Sequence, residues 1–233
     1  MPSKVKHEPP GPFLDLSKWF PPDVFAYVLL NGRFDLSPSG LRRFLLKKGH
    51  RNDSVMRPVQ IHSAKVETAQ PGRIECDALV TARPGTAVAV VTADCVPLLL
   101  AGENGKRAAA VHAGWKGTLA GIALRALEKM GSPETVTAYL GPAVGRCCYR
   151  VGADRYALFR EAFPEQVAPL EPGESPALDL AAVNAGLLIS GGVRAESVRV
   201  ESRCTSCHRE CCSYRRDGEA AGRMVSLIGI EAP

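Results

Sequence analysis

Cys95 and His112 stand at the ends of two apolar runs in VVTADCVPLLLAGENGKRAAAVHAGWKG, residues 90–117, each where a strand-like stretch gives way to a turn of small residues. A thiolate beside an imidazole does one of two kinds of chemistry. It is a nucleophile with its general base, or the two groups are donors to a metal ion. Both need an ionised sulfur, so the spacing of this pair alone leaves both open. His112 interrupts an alanine–valine run and Asp94 puts a charge beside Cys95, and each is costly in an apolar setting unless partnered.

A third residue bears on the choice. His62, in QIHS, is the remaining histidine in a strand-like setting, because His7 lies in a proline-rich start, His50 in a basic polar turn and His208 among cysteines. Two imidazoles and one thiolate make a three-donor zinc set, which leaves a fourth position for water or substrate, as catalytic rather than structural zinc does. A bound zinc draws water towards ionisation near neutral pH. On the nucleophile reading, His62 has no role, and Asp94 or Gln60 would orient the base.

The elements that must position these residues can be read from pattern. VQIHSAKVE alternates as a strand, TAVAVVTADCVPLLLA is a buried strand interrupted near Cys95, and RAAAVHAG is another strand. Residues 117–130 have helical apolar spacing closed by Gly131-Ser132-Pro133. Residues 25–30, TVTAYLGP, SVRVES and MVSLIGIE read as further strands. SPSGLRRFLLKKG, ADRYALFREAF and LDLAAVNAGLLISGG read as helices with serine, proline or glycine punctuation. Strands and helices mix without strict alternation, which predicts one α/β or α+β domain with sheets covered by helices over residues 23–233, preceded by a proline-rich arm over 1–22.

Composition bounds the rest. The chain has 233 residues, 45% hydrophobic and 23% charged, enough for a substantial core. No segment reads as membrane-spanning, and the start lacks the pattern of a signal peptide, so a cytoplasmic protein is expected. The net charge of +5 is scattered, with no basic run interleaved with aromatics, so nucleic acid is not an expected partner. Of eight cysteines, two pairs are adjacent (Cys147–Cys148 and Cys211–Cys212), a pattern that suits reduced thiols or metal ligands better than disulfides. In CTSCHRECC, the residues Cys204, Cys207, His208 and Cys211 offer a compact second zinc set, although a packed loop of thiols accounts for the same segment.

Four blocks, TADCVPLLL, AAVHAGWKG, YLGPAVGRCCYRVG and CCSYRRDGEAAGR, resemble the polyphenol-oxidase-like laccase-domain family of bacterial purine nucleoside phosphorylases, over residues 58–231. The resemblance implies a four-layer sandwich, two β-sheets flanked by helices, related to a toxin catalytic domain with a Cys–His pair. It implies zinc on His62, Cys95 and His112, with copper as an adventitious or alternative metal. It implies a transferase that cleaves adenosine, inosine or methylthioadenosine with phosphate, with adenosine deaminase (hydrolase) activity beside it. A monomer or homodimer is expected, although nothing in the sequence reports which.

Gln60 and Asp94 are then candidates for contact with the base or for orienting the donors, and Arg215 and Arg216 for contact with substrate or phosphate. Tyr214 fits the core equally well. The family's N-terminal arginine has no secure counterpart; Arg33, Arg42 and Arg43 are the stand-ins, and Lys116 replaces a common arginine. The alternatives are a cysteine hydrolase or amidase using Cys95 and His112, and a non-catalytic interaction protein on the same fold.

Overall fold

The computed structural model describes residues 12–233. Two sheets stack face to face. One has the order β1 (Phe13–Asp15), β2 (Val24–Leu29), β11 (Met224–Ile230), β6 (Thr86–Thr92), β3 (Ser54–Met56). The other has the order β10 (Val198–Val200), β9 (Thr137–Leu140), β7 (Val96–Gly102), β8 (Arg107–Ala113), β5 (Ala78–Thr81), β4 (Val66–Thr68). The helices are α1 (Pro38–Lys47), α2 (Trp115–Leu119), α3 (Ile122–Leu127), α4 (Ala153–Ala162), α5 (Leu180–Ser190) and α6 (Tyr214–Asp217).

Strand alternation sorts side chains into layers, because successive residues point to opposite faces. On β2, Val24, Ala26 and Val28 pack with Val88, Val90, Leu99, Ala110 and Ile228 between the sheets. Phe25, Tyr27 and Leu29 turn the other way, onto Leu41 and Leu45 of α1. On β7, Leu98 and Leu100 face Ile122, Ala126 and Leu188 of α3 and α5. The result is helix, sheet, sheet, helix, with three apolar seams.

Of the expected arm, residues 1–11 lie outside the described residues, while Phe13–Asp15 pairs with β2 as an antiparallel edge. Leu16 and Phe20 are buried between the sheets. Three local readings change. The strand expected over residues 59–67 shrinks to β4 and leaves His62 on a loop. The interrupted strand around Cys95 is two strands belonging to different sheets, β6 and β7. The single helix expected over 117–130 breaks at Gly121, whose φ of +75° falls in the left-handed region that a helix cannot continue through. No helix among the described residues is long and apolar enough to cross a membrane.

Candidate metal centre

The register of β7 and β8 brings the Cys–His pair together. They pair antiparallel with Val96 opposite Ala113 and Pro97 opposite His112, so Cys95, just before β7, sits beside the end of β8. His62 arrives from the loop before β4. One donor atom from each of His62, Cys95 and His112 falls within 4.8 Å of the others. The two imidazole rings stand at 90° with centroids 4.8 Å apart, so neither stacks over the other.

A buried carboxylate that the sequence reading passed over organises this centre. Asp77, fully buried, accepts a bond from His112 Nδ1 at 2.8 Å. It also accepts from the backbone N–H groups of Ile61, His62 and Ser63 at 3.3, 3.0 and 2.6 Å, and from Ser63 Oγ at 2.8 Å. Those N–H groups are spent on a carboxylate instead of a strand ladder, which is why the QIHS segment is not a strand. His62 takes φ +57° there, in the left-handed region. The signal for Asp77 was present in the stretch IECDALV, where Asp77 is the second of two charges and the one set directly against the apolar run, Glu75 being paired with Arg73.

Charge follows geometry. Burial disfavours ionisation of Cys95, but hydrogen bonds and charge from His112 and His62 outweigh it and hold the thiol at about 7. Burial likewise opposes protonation of His112, and its bonds to Asp77 and Cys95 prevail, lifting it to about 9. Asp77 resists its own burial through His112 and Ser63 and drops to about 2. These three form a thiolate–imidazolium–carboxylate relay. Holding His112 by Nδ1 turns Nε2 towards Cys95, where it becomes a metal donor once its proton is lost, the way metal-bound histidines are commonly oriented. Thiolate and imidazole donors that converge this closely fit zinc, and suit copper as well.

The three donors line a cavity of about 820 Å³ together with Gln60, Asp94, Tyr149, Arg215 and Arg223. Gln60 is pinned, since its side-chain amide donates to Val91 O and accepts from Val91 N, both at 2.8 Å. Asp94, at φ +86°, accepts from Thr205 Oγ1 and from the backbone N–H of Arg215, both at 2.5 Å. It is a latch between loops, with both carboxylate oxygens engaged. Arg215 reaches the cavity, with its guanidinium 5.4 Å from the Tyr149 ring centroid.

Arg216 is not in that lining. Its guanidinium is spent on the carbonyls of Thr205, Ser206, His208 and Cys211 and on Asp217, so it ties down the cysteine-rich loop. Arg33, Arg42, Arg43 and Lys116 are also outside the lining; Arg43 pairs with Asp35, and Arg42 donates to Asn52 O. The second cavity cation is Arg223, at the start of the last strand, which sequence reasoning missed. Tyr214 is exposed and lines the cavity instead of the core.

The molecule is thus a two-sheet sandwich whose three-donor candidate metal centre opens onto a cavity where Arg215 and Arg223 stand beside the carboxylates of Asp94 and Glu219. The chain belongs to the family described as multi-copper polyphenol oxidoreductase laccase, whose profile matches residues 40–231. It is 43% identical over 188 residues to a Deinococcus radiodurans protein named purine nucleoside phosphorylase, covering 78% of this chain and 72% of that one. A human relative named purine nucleoside phosphorylase LACC1 is 32% identical over 165 residues, 66% of this chain and 38% of that one. Among solved structures, a Neisseria meningitidis protein, NMB0706, superposes with TM-score 0.78 at 31% identity, covering 94% of this chain and 99% of that one. A Bacillus licheniformis protein, YfiH, gives TM-score 0.81 at 27% identity, covering 96% of this chain and 98% of that one.

Proposed function

We propose that this chain is a zinc-dependent purine nucleoside phosphorylase acting on adenosine, inosine or methylthioadenosine, with adenosine deamination as a second activity. The observation that carries this reading is one cavity lined both by the His62–Cys95–His112 donors and by the exposed cations Arg215 and Arg223. Relatives bearing the phosphorylase name support it.

In phosphorolysis a phosphate oxygen bonds to the ribose anomeric carbon while the carbon–nitrogen bond breaks, and the purine leaves with the electron pair. Arg215 and Arg223 hold the phosphate dianion, since guanidinium groups match its oxygens. Tyr149 and Val144 give the nucleoside an apolar wall that excludes water from the breaking bond. Asp77 fixes His112 and His62 at the centre, while Asp94 and Gln60 hold the wall still. A zinc ion on the three donors would supply Lewis acidity and a bound water of lowered pKa. The same chemistry would serve attack of water on the amino-bearing carbon of adenosine.

The test is product chromatography after incubating the zinc-loaded protein with adenosine in phosphate buffer. Adenine with ribose 1-phosphate is the expected result. Inosine alone would leave deamination and remove phosphorolysis, and unchanged adenosine would overturn the reading.

The line Cys95–His112–Asp77 favours one other reading, a cysteine hydrolase, because nucleophile, base and orienting carboxylate fall in the order such triads use. That enzyme would turn over an amide after complete chelation of metal, and alkylation of Cys95 would abolish it.

A further inference from the structure

Four cysteines outside the cavity centre converge. One sulfur from each of Cys147, Cys148, Cys204 and Cys207 lies within 4.8 Å of the others, and all four are free thiols. They come from two loops, the turn after β9 and the turn after β10, that run side by side. Ala143 and Cys204 form a parallel bridge, and Thr205 N–H donates to Ala143 O at 2.9 Å. The C-x-x-C of residues 204–207 is closed by Cys207 N–H donating to Cys204 O at 3.1 Å. The compact set foreseen within residues 204–211 is therefore divided. Cys211 is buried between the sheets, and exposed His208 faces Glu210.

We propose that Cys147, Cys148, Cys204 and Cys207 form a closed, structural tetrathiolate site for zinc. The spacing carries the assignment. Four thiolates about 2.3 Å from a tetrahedral zinc are separated from one another by about 3.8 Å. Here Cys147 and Cys207 sulfurs are 3.8 Å apart, and Cys148 and Cys207 are 3.5 Å apart. The backbone N–H of Gly145 donates to Cys204 Sγ at 3.3 Å, the orienting bond that ligating groups commonly receive. Gly145 also keeps the space open, because a Cβ there would lie 3.3 Å from Cys204 Cβ and 3.4 Å from Cys147 Sγ. Cys147 and Cys207 are exposed, so an ion has a path in.

The position gives the site a task. Thr205, between two of the ligands, bonds Asp94, and Val144, three residues before Cys147, donates its N–H to Asp94 O at 3.0 Å. A metal joining the two loops would staple the wall of the cavity that carries Asp94 and Arg215. The site is distinct from the His62–Cys95–His112 centre, and its existence does not depend on what the cavity binds.

Cobalt(II) titration of the full chain carrying Cys95→Ala tests it. That substitution removes the thiolate of the cavity centre, and Cys76, Cys211 and Cys212 are buried and outside both donor groups, so a sulfur-to-cobalt charge-transfer band reports the four-cysteine cluster. An intense band with tetrahedral d–d absorption, saturating at about one cobalt per chain and displaced by zinc, is expected. In the same background, Cys207→Ser should lose the band and the corresponding zinc measured by plasma mass spectrometry. If that variant fails to fold, the Cys95→Ala titration decides alone. Absence of the band, its persistence without Cys207, or a Cys148–Cys207 disulfide in acid-quenched, freshly extracted protein overturns the proposal; the last would make the cluster a redox pair.

Discussion

Asp77 shows how a single residue decides the chemistry of its neighbours. It is fully buried and does not line the cavity, yet it fixes one donor through its ring nitrogen and another through its backbone. Asp77→Asn keeps the volume and removes the charge, and metal affinity should fall about 10–100-fold while the chain still folds, read by competition with a chromophoric chelator. The metal-free pair gives a pH signature. With Cys95 held at about 7 and His112 at about 9, the sulfur is a thiolate from just above neutrality. The iodoacetamide rate at Cys95 should therefore rise through an inflection near 7, against about 8.5 for an ordinary thiol. Asp77→Asn should move the inflection upward, because the imidazolium loses its carboxylate partner, and added zinc should suppress labelling. Arg223→Ala should raise the KM for phosphate at least about tenfold with a smaller change in kcat, the sign of lost ground-state binding. An unchanged KM for phosphate would take Arg223 out of the anion site.

At the scale of elements, β7, β8, β9, β11, α1 and α5 were legible because each is an apolar run of regular period with its own punctuation. Ser37 caps α1 by accepting from Gly40 N–H, and Asp179 caps α5 by accepting from Ala182 N–H. What pattern could not show was where a backbone gives up its ladder. The alternation around His62 is genuine, but a carboxylate fifteen residues later in the chain takes the N–H groups of the segment. Nor could spacing show that β6 and β7 part into different sheets at Asp94, whose positive φ lets the chain cross. Cys95 and His112 were found because their strands are neighbours; Arg223 was missed although it closes the block CCSYRRDGEAAGR, because nothing in its spacing shows that it turns back to the cavity with Arg215.

The turn after β8 supplies a test at this scale. Gly114, at φ −76°, has a backbone that alanine adopts freely, but an added Cβ would stand 3.2 Å from Cys95 Sγ and 3.4 Å from His62 Cδ2. Gly114→Ala should leave the melting temperature within a few degrees and lower metal affinity on the order of tenfold, since sub-ångström displacements suffice to spoil a site. A melting temperature that collapses instead would place the glycine's role in packing.

For the whole molecule, the centre lies at the seam where the chain leaves one sheet for the other, so the packing between sheets and the integrity of the site are separable only by experiment. Leu99 is buried in that seam opposite Ala110 on β8, a large residue against a small one. Leu99→Ala removes apolar contact and leaves a cavity the surrounding sheets fill only in part, at a cost of about 2–5 kcal/mol. For a domain of this size that is a fall of roughly 5–20 °C in melting temperature. The relative placement of Cys95 and His112 is set by the backbone ladder between β7 and β8 within one sheet, not by the distance between sheets. His62 is likewise tied to that sheet, through Asp77 beside β5. Below its melting transition the variant should therefore keep full zinc stoichiometry and an unchanged cobalt spectrum at the centre. If metal is lost while the chain is still folded, the spacing of the two sheets itself sets the donor geometry. The cavity wall carried by β6, through Gln60 on Val91, would then be part of the metal centre's support.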